Sequence, residues 1–246
     1  MENASLVAMS RQMVLRRQMD IAANNLANMN TTAFKGQTLV FDDMPLQANI
    51  PGPDRGRPLS LVTDLVTAQN WQVGDFEATG GTLDIALDGP GYLVVETGAG
   101  PRYTRNGGLR IDSDRQLVDV NGFPILATND QPIRIPDEYR SLEIRGDGQI
   151  IIDGEDEVAR LRLAAFDNLH ALDPLGGGLY VANEVPREAD GTAVIQGMIE
   201  TSNVEPILEM TRMIEVMRAY SSASQMIDQE HERQRTAIQR LGQAQA

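Results

Sequence analysis

Helical periodicity occupies both ends of the chain, from residue 1 to about 30 and from 206 to about 242, and encloses a middle patterned as short strands. Neither end carries enough apolar surface to stand alone. A chain built this way brings its ends together, or brings them to copies of itself. Leu15, Met19, Ala22, Leu26 and Met29 recur at spacings of 4, 3, 4 and 3, one face of a helix. Val7, Val14 and Ile21 add a flanking stripe. The spacing predicts a helix over residues 3–29, roughly 40 Å long at about 1.5 Å per residue. At the other end Met213, Met217, Tyr220, Ser224, Ile227, His231, Gln234, Ile238 and Leu241 repeat at 4-3, a heptad seam interrupted by polar residues. Pro206 occupies a first-turn position and Gly242 follows the last seam residue.

The polar interruptions carry information. Asn is a weak helix former, yet Asn24, Asn25, Asn28 and Asn30 crowd the end of the first helix. One reading is a terminal turn, where Asn tolerates left-handed backbone. The other is a set of amides that bond a partner's backbone and fix register. Both stand on the sequence alone. Ser224, His231 and Gln234 likewise make a poor two-stranded zipper and suit packing among several helices.

Between the ends, six Asx-Gly pairs mark turns: Asp88-Gly89, Asn106-Gly107, Asn121-Gly122, Asp147-Gly148, Asp153-Gly154 and Asp190-Gly191. Alternating apolar residues predict strands near 83–87, 91–96, 108–111, 116–120, 142–145, 149–152, 158–166 and 193–196. Residues 36–78, with Pro45, Pro51, Pro53 and Pro58, read as an extended connector. The expected fold is α+β: a discontinuous, coiled-coil-like helical domain from residues 1–36 and 202–246, and a connector plus central antiparallel all-β domain over 37–201.

Charge separates the same regions. The net charge is −14. Residues 1–36 hold four basic and two acidic side chains, residues 205–246 five and six, so the middle carries −15. Nearly neutral helices suit dense packing, and an acidic body suits solubility rather than nucleic acid. Aromatics are only 4%, which disfavours a base-stacking platform. Without cysteine there is no thiolate nucleophile or zinc-thiolate site. Arg11, Gln12, Arg16 and Arg17 break up any apolar signal region, and no run of about 18 apolar residues exists, so export without cleavage and no stable membrane insertion are expected.

Catalytic patterns are weak. Gly98-Ala99-Gly100-Pro101 lacks the lysine of a phosphate loop, and its proline removes an N–H donor. His170 has no nucleophile at a fitting spacing, and His231 no companion ligand. Asp112 with Asp114, and Glu155-Asp156-Glu157, fit solvated turns better than a calcium loop. No catalytic residue, cofactor or metal site is expected.

The run Ala23-Asn24-Asn25-Leu26-Ala27-Asn28-Met29-Asn30-Thr31-Thr32-Ala33-Phe34-Lys35 resembles a signature of the bacterial flagellar rod and hook proteins. Glu200-Thr201-Ser202-Asn203-Val204, then Glu209-Met210, Met213-Ile214 and Arg218-Ala219-Tyr220, resemble that family's second signature. Leu83 through Tyr92 and Tyr103-Thr104-Arg105-Asn106-Gly107 are similar to its β-domain motifs. The blocks fall in family order along nearly the whole chain, and the start Met1-Glu2-Asn3-Ala4 with Ser10-Arg11-Gln12-Met13 is most similar to the proximal rod members. Two departures stand out: Ala33 where the family has glycine, and Gly80-Gly81 in place of Gly-Asn or Gly-Asp.

The resemblance implies a structural subunit of the basal-body rod, exported uncleaved by the flagellar type III apparatus and polymerising through its terminal helices into a torque-transmitting tube. Its implied partners are other copies and adjacent rod proteins. Leu15, Met19, Asn24, Asn25, Leu26, Asn28, Met210, Met213, Met217, Tyr220 and Ile227 are the expected assembly interface. The alternatives are a distal rod or hook subunit, a cell-wall-binding or hydrolytic module using Asp112 and Asp114, and a peripheral membrane protein held by the N-terminal helix.

Overall fold

A computed structural model describes residues 2–42, 64–154 and 156–243. The prolines of the expected connector and Glu155 lie outside these residues. The chain divides into two compact units, one of Met1–Ala27, Gln37–Gln69 and Glu205–Ala246, the other of Asn28–Gly36 and Asn70–Val204.

In the first unit, helix α1 (Glu2–Ala27) packs on helix α2 (Pro206–Gln243). Leu15, Val216 and Ala223 form the buried centre, with Met19, Ala219 and Tyr220 against it. The buried line of α1 runs Ala8, Leu15, Ala22, and that of α2 runs Glu209, Val216, Ala223. Each repeats every seven residues, as a narrow two-helix seam requires. On α2 this line lies one residue before the expected one: Val216 is buried while Met217 is half exposed. Small Ala219 and Ala223 let α1 approach there, whereas Met217 belongs to an adjacent stripe. The side chains of Val7, Gln234, Ile238 and Leu241 lie outside the described ones.

Helix α1 stops at Ala27, short of residue 29, because Asn28 begins a turn: its carbonyl accepts from the Thr31 amide at 3.1 Å and its Oδ1 from the Thr31 hydroxyl at 3.3 Å. Gly242 does not end α2, which runs on to Gln243. The expected connector contributes paired strands at its described ends, Gln37–Asp42 and Asp64–Gln69, antiparallel with Val40 opposite Val66. A two-stranded ribbon is marginal alone. Asn25, buried in α1, anchors it by accepting from the Gln37 amide at 2.8 Å and donating to the Gln37 carbonyl at 2.9 Å.

The second unit is β-rich, and every pairing among its described strands is antiparallel. Its largest sheet has the order Leu172–Gly176, Leu179–Ala182, Gly100–Thr104, Tyr92–Thr97, Leu163–Ala165, Arg187–Glu188. Tyr92–Thr97 sits centrally with both faces covered, so its apolar run does not alternate. Leu93 and Val95 face a core with Ile85, Leu87, Ile125, Ile150 and Leu161. Tyr92 and Val94 face a smaller core with Tyr103, Phe166, Leu172 and Tyr180. The single strand expected over 158–166 is two, Asp156–Arg160 and Leu163–Ala165, which pair with different neighbours. Leu161 turns into the core between them. The strands Phe76–Ala78, Gly100–Thr104, Leu172–Gly176, Leu179–Ala182 and Met198–Glu200 carry too few alternating apolar residues to announce themselves.

Five of the six Asx-Gly glycines adopt left-handed φ, as turns of that kind require. Gly107 is the exception, and its reason is space: a Cβ there would stand 1.7 Å from the Ile85 carbonyl oxygen. Ala33, by contrast, holds φ at +56° although it bears a Cβ. That conformation costs an L-residue about 1–2 kcal/mol. Ala33→Gly is expected to raise stability by about 0.5–1 kcal/mol, the relief exceeding the added freedom of the unfolded chain. Gly107→Ala is expected to lower it by about 2–4 kcal/mol. Denaturant unfolding of the two variants beside the parent chain measures both; a destabilised Ala33→Gly would contradict the first.

Candidate functional site

Two groups of residues stand out, one in each unit. In the second unit a cluster of charged side chains is buried. Lys35, the only lysine in the sequence, donates through Nζ to Glu200 Oε1 at 2.5 Å and to the Gln72 carbonyl at 2.7 Å. Arg105 donates through Nε to Glu200 Oε2 at 2.8 Å. Its remaining nitrogens reach the carbonyls of Gly89 and Gly91, both at 2.9 Å, and of Leu87 at 2.8 Å. The Gly74 amide donates to Glu200 Oε1 at 3.1 Å. The side chains of Lys35, Arg105 and Glu200 are 1%, 4% and 0% exposed.

Local sequence holds these groups in place. Arg105 lies between buried Thr104 and Asn106; the Thr104 hydroxyl accepts from the Asn106 amide at 3.1 Å, and Asn106 Oδ1 accepts from the Gly108 amide at 3.0 Å. Glu200 ends the strand Met198–Glu200 and accepts the Ala33 amide on its own carbonyl at 2.8 Å. Asn203 completes the junction. Its Oδ1 accepts from the Gly36 amide and its Nδ2 donates to the carbonyls of Asn70 and Gln72, each at 2.8 Å.

The cluster contains two cations and one anion, and its electrostatics follow from that imbalance. Burial pushes the Glu200 carboxyl upward, but the Arg105 and Lys35 charges and hydrogen bonds outweigh it, and the net direction is down. Burial pulls the Lys35 ammonium down, Glu200 opposes this and Arg105 reinforces it, and the net direction is again down. The Arg105 guanidinium lies 5.5 Å from the centre of the Tyr92 ring. Burial raises the Tyr92 phenol to about 12 and drives Tyr180 upward as well. Both rings belong to an aromatic group in which Trp71 meets Tyr180 at 5.4 Å and Tyr103 meets Phe166 at 4.8 Å. Such a cluster fixes geometry, and its three charged side chains are covered.

The expected interface residues are distributed unevenly. Leu15, Met19 and Tyr220 meet at the α1–α2 seam. Asn25 ties the ribbon to α1, and Asn28 forms the turn after it. Asn24 is exposed, and Leu26, Met213 and Ile227 are half-buried. Met210 and Met217 are 47% and 53% exposed, alongside Ile207 at 80% and Ile214 at 51%. These last four recur at 3-4-3, a second apolar stripe on α2 distinct from the seam. A groove of about 330 Å³ in the same unit is lined by Gln18, Ile21, Leu39, Arg212 and Val216, among others.

Asp112 and Asp114, the acidic pair considered for hydrolysis, shape a turn: Asp112 Oδ1 accepts from the amides of Asp114 and Gln116 at 2.9 and 2.8 Å. His170 and His231 are exposed. No helix among the described residues is long and apolar enough to cross a membrane. The ionic cluster escaped the sequence reading because burial of a charge leaves no periodic trace. Its one signal was composition, a lone lysine among 21 basic residues.

Known families match along the chain. Residues 6–35 match the flagella basal body rod protein family, residues 86–152 the D1 domain of the flagellar hook protein FlgE/F/G, and residues 195–240 the C-terminal region of the flagellar basal body rod FlgEFG proteins. The flagellar basal-body rod protein FlgF of Caulobacter vibrioides is 37% identical, covering 98% of this chain and 99% of its own length. The basal-body rod protein FlgG of Bacillus subtilis is 32% identical over 85% of this chain and 88% of its own. FlgF of Mesorhizobium japonicum is 29% identical over 98% and 99%. The chain belongs to the flagellar basal-body rod protein family.

Proposed function

We propose that this chain is a structural subunit of the basal-body rod and polymerises through its terminal helices, with no catalytic step. The observation that carries this reading is the stripe Ile207, Met210, Ile214 and Met217 on α2, each about half exposed or more. The seam with α1 uses a different line of α2, so the stripe has no partner within the described unit. Met9 and Met13 on α1 are also exposed, at 55% and 61%. Burying one such side chain contributes about 1.5–3 kcal/mol, so four on one helix make a substantial contact with a neighbouring copy. Contact between unlike surfaces of identical chains propagates as an open helix wherever its rotation does not close a ring, as a rod requires.

In this reading the interface comprises Leu15, Met19, Asn24, Asn25, Leu26, Asn28, Met210, Met213, Met217, Tyr220 and Ile227, some through the α1–α2 seam and others directly. The domains act as an assembly domain from the chain ends and a β body. Full-length likeness to a FlgF supports a place in the proximal rod. The likeness to FlgG proteins keeps a distal rod place as the second reading. Neighbouring rod proteins are the partners, torque passes through the packed helices, and the chain leaves the cytoplasm uncleaved through the flagellar type III apparatus. The turn-forming role of Asp112 supports a structural β body over a hydrolytic one.

The test replaces the chromosomal copy with the double variant Ile214→Glu/Met217→Glu. Placing two carboxylates in the contact costs each subunit junction about 3–5 kcal/mol or more. Basal bodies and swimming are expected to be lost while the purified variant keeps the parent's far-ultraviolet circular dichroism. Normal swimming by that strain would refute assembly through the stripe.

A further inference from the structure

Residues 28–36 directly follow α1, and residues 197–204 end one residue before the Glu205-Pro206 start of α2. Within the second unit these two segments lie together with residues 70–78. Ala33 and Asn203 link them by backbone bonds to Glu200 and Phe34, at 2.8 and 3.3 Å, and Phe76–Ala78 pairs with Met198–Glu200. Their side chains contribute nothing to the two apolar cores of the unit except Trp71 at the margin of the smaller one. Polar bonds hold them instead, and the strongest converge on Glu200. That carboxylate receives Lys35 and the Gly74 amide from the segments and Arg105 from the body, whose other donors are fixed on Leu87, Gly89 and Gly91.

We propose that Glu200 is an electrostatic latch: when its carboxylate is neutralised, residues 28–36 and 197–204 come away from Arg105 as one local unit while both apolar cores stay folded. Neutral Glu200 leaves the Arg105 Nε and the Lys35 ammonium buried against a poor acceptor, two cations with no anion between them. Releasing the segments to water relieves this at little apolar cost, since they bury so little of the core. The chain roots of both terminal helices are then loosened together.

Acid is the natural trigger, and the sign follows from the groups facing Glu200. Lys35 and Arg105 are the charged partners, with Tyr92 and Tyr180 behind them, both neutral phenols in acid. The carboxyl is held below its usual 4.5, so the latch is fully closed above that value and opens as pH falls through the depressed one.

The full-length protein supplies its own probe, because Lys35 is its only ε-amine. Acylation by a water-soluble succinimidyl ester at about pH 7.5, read by mass spectrometry, reports latch opening. In Glu200→Gln, Lys35 is expected to acylate roughly tenfold faster or more, with amide protection lost in residues 28–36, 70–76 and 197–204 and kept in strands 92–97, 149–152 and 163–165. Acylation of the variant at the parental rate overturns the proposal. Loss of protection in the core strands together with the segments overturns it equally. Because the substitution can unfold the whole unit, hydrogen exchange of the unaltered chain, corrected for intrinsic rates, is followed down to about pH 3. The segments are expected to open at a higher pH than the core strands, and simultaneous opening overturns the latch.

Discussion

The bond between Arg105 and Glu200 joins parts of the chain 95 residues apart through two buried charges, and hydrogen bonds with residues 35, 74 and 87–91 converge on it. A guanidinium offers several donors in one plane, and here they are shared among Glu200 and three backbone carbonyls of residues 87–91. The Gly89 and Gly91 carbonyls belong to the bend that follows the strand Ile85–Asp88, whereas Leu87 lies in that strand opposite Val194. At the two glycines Arg105 thus supplies partners that no strand neighbour provides. Lys35 then adds a second cation that the electrostatics alone do not require, since one carboxylate balances one guanidinium. Buried ions of this kind contribute little net stability but tolerate few alternative geometries. The physical consequence is specificity at the point where the chain leaves one helix and, 165 residues later, prepares to enter the other.

The helical unit is governed by the opposite principle. Its seam is narrow, and among the described residues its apolar centre is Leu15, Val216 and Ala223. A helix as long as α2, packed along one thin line, leaves most of its apolar surface unused. The second stripe on α2 is the result. In the proposed polymer, the same residues that would be a liability in a monomer supply cohesion.

Different physical signals were legible in the sequence to different degrees. The two helices and the start of α2 followed from apolar spacing and Pro206, because a 3.6-residue period survives even when the seam is rotated by one position. Strands flanked by Asx-Gly turns, such as Gln149–Ile152 and Ala193–Gln196, were equally plain. Strands like Phe76–Ala78 and Leu172–Gly176 were hidden because their residues are exposed or interrupted by proline and glycine, so no alternation records them. The connector looked extended because it contains prolines. That its ends pair with one another depends on Asn25 reaching Gln37, a contact no local pattern announces. Ala33 shows the converse case. Its left-handed backbone is one that glycine favours, so the alanine makes this turn costly where glycine would not.

Charge shows how the two parts work in one molecule. The middle of the chain carries −15 while the terminal segments carry +2 and −1. Copies assembled side by side bring like-charged β bodies into the same structure, and their repulsion acts over a Debye length of about 8 Å at physiological ionic strength. The proposed helix contact avoids that repulsion, because the stripe of α2 is apolar and the terminal segments are nearly neutral. Repulsion between the bodies then has a use: it opposes side-by-side clumping of the acidic parts and leaves helix contact as the favoured mode of association. The same division explains why the ionic cluster is buried. A carboxylate exposed among so many others would gain little from Arg105, whereas one removed from water and screened from its neighbours can hold two cations in a fixed arrangement.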